Sequence, residues 1–74
     1  MQDADVHATI HVNGCSEPLT AETLAALLAA RADEIPPRGI AIAVNGAVVP
    51  RSSWSTTALR AGDRVEIVRV MQGG

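Results

Sequence analysis

The chain contains no phenylalanine and no tyrosine, and Trp54 is its only aromatic residue. Hydrophobic residues nevertheless make up 47% of the 74 positions, so we predict a packed core built from Val, Ile, Leu and Ala. A chain of this length forms one small domain with little room for a deep catalytic cleft. No apolar run approaches the roughly 20 residues that a membrane-spanning helix needs. Residues 1–5 lack the positive and apolar regions of a signal peptide, and we interpret them as a flexible extension.

Lysine is also missing, and all six basic residues are arginines. The chain therefore cannot be linked to copies of itself through lysine isopeptide bonds. A net charge of -2 argues against a nucleic-acid partner, which usually meets a basic face. The single cysteine, Cys15, cannot form an internal disulfide, so a reducing cytoplasm is the expected compartment. No lysine or histidine lies near Cys15 in sequence, and we interpret it as an ordinary turn residue rather than a persulfide carrier.

Alternating apolar residues and two Asn-Gly pairs predict a chain built mainly of strands. Residues 6–12 alternate strictly, which is the period of a half-buried strand. Asn13-Gly14 and Asn45-Gly46 are residue pairs that favour tight hairpin turns. The predicted strands are residues 6–12, 15–19, 40–44, 48–49 and 64–71.

Residues 21–32 are rich in Ala and Leu and predict one helix. Thr20 is the expected N-cap, with Leu19 and Leu24 forming a hydrophobic staple. The helix should end before residues 35–39, where two prolines and a glycine follow one another. The face expected to bury against a sheet contains Leu24, Leu27 and Leu28.

This order of elements predicts an α+β fold in which one main helix covers one face of a mixed sheet of four to five strands. The first and last strands are then neighbours in the middle of the sheet, which is the ubiquitin-like β-grasp arrangement. We place this domain at residues 6–71. Residues 51–61 form a polar crossover anchored by Trp54 and Leu59, and residues 72–74 form a flexible tail.

The second half of the chain contains a specific series of residues: Val44-Asn45-Gly46, Val48-Val49-Pro50-Arg51-Ser52, Trp54, Leu59, Gly62-Asp63-Arg64-Val65-Glu66-Ile67-Val68 and Gly73-Gly74. With these residues in this order, the chain resembles the ThiS-type sulfur carriers of bacterial thiamine biosynthesis, and the resemblance covers about residues 6–74. The Val-Pro-Arg-Ser-x-Trp element separates this family from the sulfur carriers of molybdopterin synthesis, which share the fold and the Gly-Gly end. Cys15 is not part of the family pattern.

The resemblance implies that the chain is a carrier and not an enzyme, with no bound cofactor. A partner related to ubiquitin-activating enzymes, an adenylyltransferase, would use ATP to adenylate the Gly74 carboxylate. Sulfur from a cysteine desulfurase route would displace AMP and leave a thiocarboxylate. Thiazole synthase would take that sulfur into the thiazole ring of thiamine.

The tail must reach another protein's active site, so we predict a binding surface beside it. We expect Met71, Gln72 and Gly73 to contact the partner, and Gly73 has no side chain to obstruct a narrow channel. The last strand suggests the docking surface, because Val68 and Val70 face outward if Val65 and Ile67 face the helix. We expect Arg69 and Arg51 to frame this patch and to pair with acidic partner residues.

Several alternatives remain open at this point. Trp54 is either a structural plug or a partner contact, and Arg51 either bonds to the crossover or contacts a partner. An oligomer partner could cover the two valines, although we expect a monomer when the chain is free. His7 and His11 are too far apart on a strand for easy joint metal ligation, so no metal site is predicted. Competing functions are a sulfur carrier for molybdopterin or cysteine synthesis, a ubiquitin-like protein modifier, and an interaction domain with an inert tail.

Overall fold

The computed structural model describes residues 8–33 and 38–70. Within these ranges the chain forms a hairpin, a helix, a second hairpin, a short 3₁₀ helix and a final strand. The elements are β1 (Thr9–Val12), β2 (Cys15–Pro18), α1 (Leu24–Ala30), β3 (Ile40–Val44), β4 (Ala47–Val49), the 3₁₀ helix (Arg51–Thr56) and β5 (Arg64–Arg69).

The strands form one mixed sheet in the order β2-β1-β5-β3-β4. β1 and β5 run parallel in the middle, with His11 opposite Arg64, while the other neighbouring strands are antiparallel. The predicted α+β class and β-grasp arrangement are confirmed, including the pairing of the first and last strands. Parallel strands cannot be joined by a tight turn, so the helix and the second hairpin supply the crossover between them.

The core lies between α1 and one face of the sheet. Its most completely buried side chains are Ile10, Leu24, Ile42 and Val65, each at most 1% exposed. Leu27 and Leu28 are buried with them, as the helical spacing predicts. The core therefore consists of branched aliphatic side chains with Trp54 at its margin.

The helix begins later than predicted, because Thr23 and not Thr20 is its N-cap. The Thr23 backbone is extended, with φ -130° and ψ 164°, and its hydroxyl accepts a 3.1 Å hydrogen bond from the Ala26 amide. The predicted staple between Leu19 and Leu24 is therefore wrong. The residues ahead of Thr23 form backbone bonds with the crossover instead, where the Leu59 amide donates to the Glu22 carbonyl at 2.9 Å. Tertiary pairing thus outweighs the helix preference of this segment.

Other boundaries also differ from the sequence prediction. α1 ends at Ala30 rather than near residue 32, and β5 ends at Arg69 rather than at residue 71. The predicted polar crossover contains a 3₁₀ helix over its first six residues. The predicted domain limits at residues 5–6 and 71–72, the start of the first strand and the Pro36-Pro37 stop lie outside the described residues.

Candidate functional site

The last strand connects the core directly to the chain end that the sequence marks as functional. Val70 is the last described residue, and Met71, Gln72, Gly73 and Gly74 lie outside the described part of the chain. Their predicted roles therefore stay predictions. The structure describes β5 and Val70, which precede these four residues in the sequence.

The final described residues are fixed on the β3 side of β5. Val68 pairs with Ala41, and the Val70 amide donates a 2.7 Å hydrogen bond to the Gly39 carbonyl. Gly39 has a φ of +68°, a conformation that favours glycine. The pairing thus extends to the last described residue, and the chain leaves the sheet from a defined position.

The orientation predicted for the last strand is confirmed. Val65 is 1% exposed and Ile67 packs against the core, whereas Val68 is 57% and Val70 46% exposed. Adjacent strand residues point to opposite faces, so both exposed valines lie on the face away from α1, called here the open face. Their use as a docking surface remains a prediction.

The open face carries a third exposed valine that the sequence analysis missed. Val48 on β4 is 75% exposed, and it pairs with Ala43 on β3. A run of only two apolar residues, 48–49, gives no alternation from which an orientation can be predicted. We call the apolar side chains that share this face the apolar strip: Val48, Ala43, Ala41, Val68 and Val70.

A polar group borders the apolar strip near the start of β5. His11, Gly14, Arg64 and Glu66 line a shallow depression where β1 ends beside β5. His11 is half-buried, and Arg64 and Glu66 are exposed. The open face therefore has an apolar part nearer the tail and a charged part farther from it.

The two arginines predicted to frame the valines lie toward the other face. Arg69 alternates with Val68 and Val70, so the strand geometry places it on the side of α1. Arg51 holds its guanidinium 5.7 Å from the centre of the Trp54 ring and lines a groove with Ala25 of α1. The predicted position of the two arginines around the valines is therefore wrong, because both lie on the helix side of the sheet, and their contact with a partner stays a prediction.

Trp54 is a structural residue in this fold. Its side chain is 8% exposed and packs with the core. Its indole N–H donates a 2.9 Å hydrogen bond to the Val49 carbonyl, which joins the 3₁₀ helix to the end of β4. Buried indole N–H groups usually find such a partner, so the structural alternative accounts for both the burial and the hydrogen bond of Trp54.

The Asn-Gly turns have a second function that the sequence did not reveal. Asn13 and Asn45 both have positive φ angles, 52° and 53°, as their hairpin turns require. The Asn13 side-chain oxygen also accepts a 2.8 Å hydrogen bond from the Ile67 backbone amide. The backbone amide of Asn13 donates to the Val65 carbonyl. Asn45 bonds to the amide and the carbonyl of Arg64 from the other side. The two turns thus hydrogen-bond to the first half of β5 from its two sides.

Neither a metal site nor a paired thiol emerges from the described residues. Cys15 is exposed, and its partner in the β1–β2 ladder is Val12, whereas His11 is opposite Ser16. Cys15 and His11 therefore point to opposite faces of the sheet. Within residues 8–33 and 38–70, no three His, Cys, Asp or Glu side chains are grouped to hold a metal. No helix within the described residues is long and apolar enough to cross a membrane.

Comparison with known proteins identifies the family. The model of the ThiS family matches residues 9–74, which is most of the chain and includes the terminal glycines. The chain belongs to the ThiS family. Members of this family are small sulfur-carrier proteins, so the resemblance based on the Val-Pro-Arg-Ser-x-Trp element is confirmed.

A solved structure agrees with the family assignment. The crystal structure of the thiamine biosynthesis protein ThiS from Geobacter metallireducens is similar, with a TM-score of 0.76 and 29% sequence identity. The match covers 89% of this chain and 99% of the Geobacter chain. Comparison with curated proteins gives no match.

Proposed function

We propose that this ThiS-family chain carries sulfur as a thiocarboxylate on Gly74 and delivers it to thiazole synthase in thiamine biosynthesis. The observation that carries the proposal is the family match through residue 74, combined with a β5 strand that leads directly to that end. The similar Geobacter protein is itself named for thiamine biosynthesis.

The chemistry requires activation because a carboxylate is a poor electrophile. The Gly74 carboxylate attacks the α-phosphorus of ATP, releases pyrophosphate and becomes an acyl adenylate. The terminal sulfur of a persulfide then attacks the acyl carbon, and AMP leaves. A partner thiol next cleaves the S–S bond, forming a disulfide with the donor sulfur and releasing the thiocarboxylate. Activation thus divides one difficult substitution into easier steps, as covalent catalysis does. The product is an anionic, nucleophilic thiocarboxylate.

Within this proposal the partners supply the catalytic groups. A ubiquitin-activating-like adenylyltransferase binds ATP, a cysteine desulfurase route provides the sulfur, and thiazole synthase accepts it. The chain acts as a cytoplasmic co-substrate, a monomer when free, without a resident cofactor. The carrier needs no side chain at the reacting atom, and its terminal glycines let partner backbone groups approach closely.

The apolar strip is the proposed docking surface for these partners. Fixing each tail residue in a channel costs about 1–2 kcal/mol of backbone entropy, and binding elsewhere must offset this cost. Val68 and Val70 are exposed immediately before the tail, where apolar contact with a partner would place Gly74.

Deletion of Gly74 tests the proposal. The shortened chain should lose sulfur loading completely and retain its circular dichroism spectrum and melting temperature, because Gly74 lies beyond the final strand. Deletion of Gln2 is the matched control, since it also removes one terminal residue but leaves the Gly73-Gly74 tail intact. Restoration of growth without added thiazole by the Gly74-deleted chain would overturn the mechanism.

The wild-type chain in the same assays separates the alternative functions. A thiocarboxylate that forms but does not support thiazole synthesis would favour a carrier for molybdopterin or cysteine. Conjugates of this chain on other proteins, without any thiocarboxylate, would favour the protein modifier. A chain that is never activated would be an interaction domain.

A further inference from the structure

The backbone groups of β5 alternate between its two neighbours. The carbonyls of Asp63 and Val65 accept bonds from the β1 side, where the donors are the His11 and Asn13 amides at 2.9 and 2.8 Å. The Ile67 amide donates to the same side. Even-numbered positions face β3 instead, as the bond from Val70 to Gly39 shows. Odd-numbered residues of β5 therefore point their N–H and C=O groups toward β1.

β1 is too short to cover the whole of β5. Only His11 and Val12 pair with β5, after which the chain turns at Asn13-Gly14 into β2. Beyond the Ile67 amide, the remaining groups on this side are the Ile67 carbonyl and the N–H and carbonyl of Arg69. Among residues 8–33 and 38–70 none of these three groups has a hydrogen-bond partner. We call them the open edge of β5.

The other sheet edges are blocked in ways that the open edge is not. The outer strand β2 ends in Pro18, which has no N–H to donate, and β4 has three residues followed by Pro50. Short strands and prolines protect sheet edges from added strands. The open edge has no proline, and Val68 within it is a β-branched residue that favours strands. It is also held in an extended conformation by β3 on its other side.

We infer that the adenylating partner pairs an extended segment of its own backbone with the open edge, bonding the N–H and the carbonyl of Arg69. This rests on the proposed function and adds where and how the partner grips the carrier. Strand addition at a sheet edge is a recurring mode of peptide recognition, in which main-chain bonds supply the affinity.

The position of the open edge relative to the tail favours this occupant. Gly74 is only four residues beyond Val70 in the sequence, a reach of at most about 14 Å, so a protein that processes the Gly74 carboxylate binds close to this edge. Gly73 and Gly74 offer no side chains to recognise, whereas a main-chain ladder orients the approaching chain without them. The added segment should place apolar side chains on the open face next to Val68 and an acidic side chain opposite Arg69.

Substitution at Arg69 separates the backbone contact from the side chain. Arg69→Pro removes the N–H that points away from β3, while Arg69→Ala removes only the side chain and its charge. In ATP–pyrophosphate exchange with the adenylating enzyme of the same organism, Arg69→Pro should lower the kcat/KM for the carrier about tenfold below that of Arg69→Ala. Equal values for the two variants would overturn the inference.

Amide hydrogen exchange of the wild-type chain provides a test that does not depend on how the proline variant folds. In the free chain the Arg69 amide should exchange quickly, and the Val68 and Val70 amides slowly because they face β3. Saturating adenylating enzyme should protect Arg69. Three results would contradict the strand addition. The Arg69 amide could already be protected in the dilute free chain, it could stay unprotected when the enzyme is added, or it could become protected only when the carrier concentration is raised. The last result would assign the edge to a second copy.

The two proposals fail differently. If the wild-type chain is adenylated at Gly74 and Arg69→Pro is adenylated as efficiently as Arg69→Ala, only the strand addition is wrong. If the wild-type chain is not adenylated, the proposed function is wrong and the partner named here falls with it.

Discussion

The two halves of β5 differ in how they are held. The first half is bonded from both sides, by β1 and Asn13 on one side and by β3 and Asn45 on the other. Within the part of the chain that the structure describes, the second half is bonded only from β3, and its outward valines are exposed. One strand thus anchors the fold at its start and presents the chain end at its finish. Stability and function should therefore respond to substitutions in different halves.

The largest effect on stability should come from the first half. Val65→Ala removes two methyl groups from a fully buried site and should lower the free energy of unfolding by about 2 kcal/mol. Val68→Ala is the matched control in the second half, where the change should stay within about 0.5 kcal/mol. Urea denaturation of both variants measures the difference. Equal losses would contradict the division of the strand into two halves.

The second half should dominate partner binding. Val68→Asp places a charge on the apolar strip beside the tail and should raise the KM of the adenylating enzyme for the carrier about tenfold. Val48→Asp is the control, because Val48 is on the same face but on the outer strand β4. Its effect should be smaller. A larger effect at Val48 would move the docking surface from β5 to β4.

The hydrogen bond between Asn13 and β5 should have a smaller but separable effect on stability. Asn13→Gly tolerates the positive φ but loses the bond to the Ile67 amide, so unfolding should become easier by about 1 kcal/mol. Asn13→Asp keeps an accepting oxygen and should remain closer to the wild type. Thermal unfolding followed by circular dichroism measures both. If the glycine variant is as stable as the wild type, Asn13 serves only the turn.

Much of the fold was accessible from the sequence because local patterns coincide with the final contacts. The alternation of residues 6–12 and 64–71 and the Asn-Gly turns predicted the strands and hairpins, and the motif from Val48 to Trp54 indicated the family. The predicted strands and hairpins agree with the long-range structure because each strand buries one of its two faces.

The remaining features depend on contacts between distant residues. The helix starts after Thr23 because the preceding residues pair with the crossover around Ala58, which no local cap signal shows. The bond from Ile67 to Asn13 joins residues 54 positions apart. The exposure of Val48 and the position of Arg51 over Trp54 likewise follow from strand pairing and packing. For the candidate site, the sequence predicted the two outward valines but neither the third valine nor the open edge.

The central claim is that Gly74 carries the transferred sulfur, and intact-mass spectrometry of the chain purified from its native host tests it most directly. We predict a fraction whose mass is raised by one oxygen-to-sulfur exchange, with fragmentation placing the sulfur on Gly74. A chain that never carries sulfur at Gly74, under conditions in which the host makes its own thiazole, would contradict the account.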